Sequence, residues 1–198
     1  MFWTLLILAA LAALAVMLYN RLVAASQKVD EAWSGITVQL KRRHDLVPNL
    51  IAAARSAMAH ETAFLTQITQ AREAAVSAMA SGSAETVSAA EAALSASMRG
   101  LLAYTEDNPE VTAGENLVAL QSQLEETEDQ IAAARRLYNG NVQRYNTQVL
   151  SFPANLIAGP IGFSTRTMFE LDPGERAALE IVPSAAAGLA PPGEVPRP

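Results

Sequence analysis

The chain opens with an apolar segment. Residues 1–20 carry no charged side chain, and the run FWTLLILAALAALAVML is apolar apart from Thr4. About 20 helical residues cross a hydrocarbon core of about 30 Å. Trp3 and Tyr19 lie near the two ends, where amphipathic rings favour the membrane interface. This pattern predicts a transmembrane helix over residues 1–20.

A cleaved signal peptide is the alternative for this segment, since Ala13-Leu14-Ala15 resembles a cleavage site. No Lys or Arg precedes the apolar run, so the charged start of a signal peptide is missing, which favours the anchor. Basic residues follow the run at Arg21, Lys28 and 41–43. Because positive flanks stay in the cytoplasm, we expect a single-pass protein of the cell (inner) membrane with a cytoplasmic domain.

Beyond the apolar segment, apolar residues recur every three or four positions, the spacing of helices that bury one face. Ser81-Gly82-Ser83 is a turn signal, and Ser83 is placed to cap the next helix with Glu85 in its first turn. The apolar positions are Val29, Trp33, Ile36, Leu40, Val47 and Leu50, then Ile51 to Met79, Val87 to Leu102, and Leu117 to Phe152.

These patterns predict an all-α protein, because no alternating run of strand type appears. The N-terminal transmembrane helix is followed by an antiparallel bundle of long helices, up-and-down, with three to four segments. The bundle is expected over residues 21–170. Residues 171–198 are rich in Pro and Ala and are expected to form a disordered tail.

Pro48 leaves the number of segments open. A hairpin between His44 and Pro48 gives four segments, and we favour it because the segment lengths suit an up-and-down bundle. A kink gives three segments, and the apolar pattern does keep its phase across Pro48. With a hairpin the apolar loop at 155–163 lies beside the bilayer, whereas with a kink it lies far away. The loop residues expected to touch membrane or partner are Leu156, Ile157 and Phe163.

Composition narrows the chemistry. The chain has no cysteine, which excludes disulfides and thiolate metal sites. The net charge of −6 argues against nucleic-acid binding, which needs a basic face. We expect no catalytic site and no cofactor.

The candidate metal ligands are few. His60-Glu61 begins like a zinc-protease motif, but the second histidine position is Phe64, so the motif fails. A metal-dependent hydrolase that uses His44, Asp45, His60 and Glu61 remains as the alternative function.

Two features are candidate interaction surfaces. Lys41, Arg42 and Arg43 form a basic cluster that is either a solvated helix face or a contact for an acidic partner or anionic lipid. Tyr138-Asn139 recurs as Tyr145-Asn146, so about two helical turns separate the pairs and the tyrosines share a face. That face either packs in the core or meets a partner.

The chain contains the blocks VDEAWSGITVQLKRRHDLVPNL (29–50) and ETEDQIAAARRLYNGNVQRYNTQVLSFPANLIAGPIGF (126–163), with Gly114-Glu115-Asn116-Leu117 between them. These segments resemble the LemA family of bacterial membrane proteins. The resemblance covers roughly residues 19–170 and leaves the tail after Pro173 outside. It implies a short outer N-terminus, one span and a helical bundle, with no defined molecular activity.

The resemblance also suggests a role. Genes of the family often lie beside membrane proteases of the HtpX type, which suggests a link to membrane-protein quality control by association alone. We therefore expect a membrane-anchored scaffold or adaptor and not an enzyme. Its expected partners are the lipid bilayer and an unknown protein, either a membrane protease or a second copy of the chain.

Overall fold

The computed structural model describes residues 1–55, 62–107 and 115–170. These residues form five helices and no strand, which confirms the all-α fold. The helices are α1 (Phe2–Arg55), α2 (Thr62–Ser81), α3 (Ala84–Asp107), α4 (Glu115–Leu150) and the short α5 (Asn155–Ala158).

Helix α1 is a single helix that includes Pro48. The hairpin that we favoured between His44 and Pro48 is therefore wrong. A proline removes one backbone donor, but Val47 and Leu50 on either side are buried, so packing holds the helix together. Helix α2 begins beyond Arg55, at Thr62, and packs against α1.

Helices α1 and α4 form the longest contact in the fold and run antiparallel. Asn141 Nδ2 donates to the carbonyl oxygen of Lys28 at 3.0 Å. Further along, Arg42 Nη2 lies 3.2 Å from Glu126 Oε2. Because the α1 number rises while the α4 number falls by a similar amount, the two helices lie side by side from residue 28 to residue 42.

The turn between α2 and α3 confirms the predicted turn at Ser81-Gly82-Ser83. Gly82 has a φ of +69°, a conformation that glycine adopts without strain. The Oγ of Ser83 accepts a 3.5 Å hydrogen bond from the amide of Thr86, as expected of a capping residue, and Glu85 lies in the first turn.

The buried apolar residues form two clusters along the bundle. The N-proximal cluster lies towards the apolar start of α1, and the distal cluster lies towards the other end. The N-proximal cluster contains Leu22, Val29, Ala32, Ile36, Leu40, Ala78, Val87, Ile131, Tyr138, Val142, Tyr145, Val149, Ala158 and Phe169. The distal cluster contains Val47, Leu50, Ile51, Ala54, Leu65, Ile68, Ala75, Leu94, Met98, Leu101, Leu117 and Leu124.

These clusters confirm most of the predicted apolar positions. The prediction is wrong at Phe152, which is 79% exposed because α4 ends at Leu150 and the chain leaves the helix there. It is incomplete at Arg43, which interrupts the apolar positions of α1 and is buried to its charged end.

The first third of α1 stands outside the bundle. It is long and apolar enough to cross a membrane, and the described residues bury none of its apolar window. The exposed large side chains there are Phe2, Trp3, Leu5, Leu6, Ile7, Leu8, Leu11, Leu14, Val16 and Met17.

Helix α4 offers a matched pair of positions to test this core. Ile131 is fully buried, whereas Leu137 on the same helix is 60% exposed. We expect Ile131→Ala to lower the free energy of unfolding by about 2–4 kcal/mol, since it leaves a cavity, and Leu137→Ala to change it by less than about 1 kcal/mol. Urea denaturation of the full chain in mild detergent, followed by circular dichroism, measures both. Equal losses would contradict the assignment of the core.

Candidate functional site

A cluster of charged and polar side chains lies between the two apolar clusters. We call it the charge cluster; its members are Arg43 and His44 of α1, Glu91 and Ser95 of α3, and Glu128 of α4. The side chains of Arg43 and Glu91 are completely buried. Such groups are almost never buried unless they are paired.

Each of the following contacts of the charge cluster joins two different helices. Glu91 pairs with Nη2 of Arg43 through one oxygen, and its other oxygen lies 2.6 Å from Nε2 of His44. Nη1 of Arg43 donates to Oγ of Ser95 and to Oε2 of Glu128, each at 2.8 Å. Helix α2 joins through Arg72, whose Nε donates to the carbonyl oxygen of His44 at 2.7 Å.

The cluster keeps Glu91 ionised. Burial on its own raises the pKa of this carboxyl group, because it disfavours the charged form. The hydrogen bond from His44 and the charge of Arg43 act in the opposite direction and outweigh burial, so the pKa of Glu91 lies below its ordinary value of 4.5. Arg43 and Glu91 thus form a buried ion pair.

The burial of this cluster bears on the expected surface at Lys41, Arg42 and Arg43. Lys41 and Arg42 are exposed, and Arg42 pairs with Glu126. Arg43 points into the bundle and has no exposed surface. The candidate contact for an acidic partner or lipid therefore retains Lys41 and Arg42, without Arg43.

The alternative metal site gains no support. His44 is buried against Glu91, while the neighbouring Asp45 is exposed on another side of α1. His60 and Glu61 lie outside the described residues. Among the residues that are described, no group of three or more His, Asp or Glu side chains could hold a metal ion.

The second polar feature is the repeated Tyr-Asn pair of α4, which holds an extended segment of the same chain. We call residues 163–170 the strap. Asn146 receives a 2.8 Å hydrogen bond from the amide of Arg166 and donates to the carbonyl oxygen of Arg166 at 2.9 Å. Asn139 makes the same pair of bonds with Phe169, at 2.8 and 3.0 Å. Each asparagine thus satisfies both backbone polar groups of one strap residue.

The two tyrosines follow the same pattern. The hydroxyl of Tyr145 donates to the carbonyl oxygen of Ser164 at 2.9 Å, and that of Tyr138 donates to Thr167 at 3.0 Å. Seven helical residues rise about 10.5 Å, and three extended residues cover about 10 Å. A Tyr-Asn pair every seven residues therefore meets every third residue of an antiparallel extended chain.

Residues of the strap also bind α1 and α3. The guanidinium of Arg166 pairs with Asp30, donates to Oγ of Ser26 at 2.9 Å and lies 5.5 Å from the ring centre of Tyr145. Phe169 is fully buried against the ring of Trp33, and the amide of Glu170 donates to Oγ of Ser88.

Both tyrosines are thus buried and bound to the strap. The hydrogen bond with Asp30 raises the pKa of Arg166, and burial raises the pKa of Tyr138. Of the two alternatives for the repeated tyrosines, the structure shows packing within the chain: Tyr138 and Tyr145 are 5% and 2% exposed.

The loop at 151–163 lies at the start of the bundle. The ring of Phe163 is 6.0 Å from that of Tyr19, near the end of the apolar segment. Leu156 is 65% exposed and Ile157 is partly buried. A continuous helix at Pro48 was expected to carry this loop far away, and that expectation is wrong because α4 runs antiparallel to α1 and ends at the start of the bundle.

Sequence reasoning did not find Glu91 or Arg166. Glu91 occupies an apolar position of α3, between Val87 and Leu94, and that break in the pattern was its only signal. The Tyr-Asn repeat is visible in the sequence, but nothing in the sequence shows that it binds residues 163–170.

The fold is thus an antiparallel bundle built on a long helix whose first third is apolar on every side. A model of the LemA family matches residues 32–182 of the 198-residue chain, and the protein therefore belongs to the LemA family. The match starts later than the resemblance at 19–170 suggested and runs past Pro173. No protein with a curated description matches the chain. The LemA family is not a known enzyme family.

The charge cluster is expected to make the free energy of unfolding fall as the pH is lowered. A carboxyl whose pKa is lowered by folding stabilises the fold above its unfolded value of about 4.5, and this contribution is lost as the pH falls through the folded value. We expect Glu91→Gln to weaken the loss of stability on acidification. At pH 7 it should lower the free energy of unfolding by about 3 kcal/mol, since the buried Arg43 loses its buried carboxylate and keeps only that of the half-exposed Glu128. Thermal melts of the full chain in detergent at several pH values measure both effects.

Glu126→Gln is the matched control, because it removes the partner of an exposed arginine, Arg42. Exposed pairs contribute about 0–1 kcal/mol. An unchanged response to acid in Glu91→Gln would mean that other carboxyl groups carry it.

The strap makes a prediction at the level of single amides. We expect Asn146→Ala to speed hydrogen exchange at the amide of Arg166 while Phe169 stays protected, and Asn139→Ala to do the reverse. Residue-resolved exchange by mass spectrometry distinguishes the two sites. Gln143→Ala, an exposed position between them, should alter neither, and equal effects of all three variants would argue against the pairing.

Proposed function

We propose that this protein is a membrane-anchored helical scaffold or adaptor of LemA type and that it is not an enzyme. The observation that carries the proposal is the continuity of α1, which runs from the exposed apolar segment into the centre of the bundle. A continuous helix transmits position and orientation, so the anchor and the bundle would move as one body.

The chemistry of the described residues supports a structural role. The charged groups with the most developed geometry, Arg43 and Glu91, are closed to solvent and paired with each other, and Arg43 also pairs with Glu128. A catalytic acid or base must reach the proton that it transfers, and neither group has access to a substrate. The Tyr-Asn pairs are likewise engaged with the strap. These polar groups hold the bundle together.

The loop at 151–163 supports a second contact with the bilayer. Leu150, Phe152, Leu156 and Ile161 are exposed apolar side chains near the level of Tyr19. Several exposed apolar side chains in one place usually mark a binding surface. Because this place adjoins the apolar segment of α1, we propose that the loop dips into the membrane interface.

We further propose that the bundle faces the cytoplasm and that its partner is a protein at the membrane. Arg21, Lys28 and Lys41 follow the apolar segment, in agreement with the rule that positive flanks stay inside. The resemblance suggests a membrane protease as the partner, and a second copy of the chain is the alternative.

A single-cysteine series tests the membrane contact, since the chain has no native cysteine. A polarity-sensitive dye on Leu156→Cys should be strongly quenched by brominated acyl chains when the full protein is reconstituted in liposomes. The same dye on Leu137→Cys is the control, because Leu137 is equally exposed but lies about 20 Å away along α4. Equal quenching at both positions would refute the contact of the loop with lipid.

The Leu137 cysteine also reports the orientation. In intact cells a maleimide that cannot cross the inner membrane should label it only after that membrane is opened. Labelling of intact cells to the same extent would place the bundle on the outer side.

A further inference from the structure

A small pocket lies between α1 and α4 at the start of the bundle. Its volume is about 270 Å³, and it is lined by Arg21, Ala24, Ala25, Lys28, Asn141, Arg144 and Gln148. The two alanines leave room between the helices. Sites for drug-sized ligands are usually about 300–1,000 Å³, so this pocket suits a compact polar group.

The charges around the pocket have one sign. Arg21, Lys28 and Arg144 are all exposed, and in the part of the chain that the structure describes none of them has a carboxylate within 4 Å. Asp30 faces the other side of α1, where it pairs with Arg166. Three cations around one cavity, without a counter-charge from the described residues, attract an anion.

A second observation comes from the lining itself. The side-chain oxygen of Gln148 is buried and has no hydrogen-bond partner among the described residues. Buried polar atoms are normally satisfied, and an exception asks for an explanation such as a missing ligand. A hydroxyl donor that enters the pocket after a small side-chain movement would satisfy this oxygen.

The position of the pocket indicates where its anion comes from. Arg21 directly follows the uncharged segment, and Lys28 lies about 10 Å further along the helix. The polar headgroup layer occupies roughly 5–8 Å on each side of the hydrocarbon core. If the apolar segment spans the membrane, the pocket opens at the level of lipid phosphates.

From these observations we propose that the pocket binds the headgroup of an anionic phospholipid. Arg21, Lys28 and Arg144 would bind the phosphodiester, and Gln148 would accept a hydrogen bond from a hydroxyl of a glycerol-type headgroup. This proposal rests on the proposed anchoring in the membrane, and it adds a lipid preference to it. The charge-assisted contacts are the kind that recognise phosphate oxygens.

The test uses the full chain in lipid nanodiscs that contain equal parts of phosphatidylglycerol and phosphatidylcholine. Native mass spectrometry then counts the lipids that the released protein retains. The wild type should keep phosphatidylglycerol in preference to phosphatidylcholine. Each basic residue near a membrane surface changes binding by about fivefold, so Arg21→Gln/Lys28→Gln/Arg144→Gln should weaken retention roughly a hundredfold.

The control is Arg55→Gln/Arg99→Gln/Arg136→Gln, which removes the same charge from exposed positions outside both candidate lipid contacts. It should retain phosphatidylglycerol as the wild type does. Equal losses in the two triple variants would overturn the pocket, since only net charge would then matter. Gln148→Met should reduce the preference for phosphatidylglycerol over phosphatidic acid, which lacks the glycerol headgroup.

Two further outcomes separate the causes of failure. Displacement of the retained lipid by inorganic phosphate at equal concentration would make the pocket a site for free phosphate and overturn the lipid proposal. A protein that integrates into nanodiscs but retains both lipids equally would overturn the lipid proposal and leave the anchor intact. A protein that stays outside the nanodiscs would overturn both.

Discussion

Helix α1 has to suit two environments within one unbroken element, and the rest of the structure is arranged around that constraint. Its first third is apolar on every side and is not covered by other helices, whereas the remainder buries one stripe. Backbone hydrogen bonding inside a helix is complete in either environment, so no connection is needed between the two parts. With 36 residues, α4 is long enough to follow the bundle part of α1 from end to end. The returning chain must therefore reach the level of Tyr19, where the loop at 151–163 lies.

Apolar stripes alone do not fix how far one helix is shifted along another, and the charge cluster removes that freedom. A shift of α3 by one turn would replace Glu91 opposite Arg43 with Val87 or Leu94. Leaving a buried charge without its partner costs several kcal/mol, whereas an intact buried pair adds little net stability. The pair thus acts mainly against wrong alignments. Because Arg72 and Glu128 also reach this level, it sets the alignment of α2 and α4 as well.

The sequence was sufficient for what depends on periodicity and local turn chemistry. The all-α fold, the turn at Gly82 and the buried stripe of α4 followed from apolar spacing and from glycine and serine. The predicted hairpin at Pro48 was wrong, because a proline costs one hydrogen bond and the packing of the buried residues on both sides outweighs that loss. Sequence reasoning also missed the partners of Arg43, since the pairing of Arg43 with Glu91 depends on how two helices align. When each apolar stripe contains one charged residue, the sequence does not show which of these residues pair between helices.

The Tyr-Asn repeat of α4 binds the strap although the sequence of the strap has no matching repeat. Helices α2 and α3 bury Ala78 and Val87 in the N-proximal cluster and pack Met79, Ala84 and Ala90 against it, and these small contributions leave part of that side for the strap to cover. The strap supplies Phe169 and, at its edge, Phe163 and Met168. An extended chain forms no hydrogen bonds within its own backbone. The side chains of α4 bind the backbone groups of the strap instead, at a spacing set by the helix. The strap starts beside Tyr19 and ends beside Trp33, which is about 20 Å further along α1. If the apolar segment spans a membrane, the end of the strap at Glu170 therefore lies well above the lipid surface, beside Ser88 of α3.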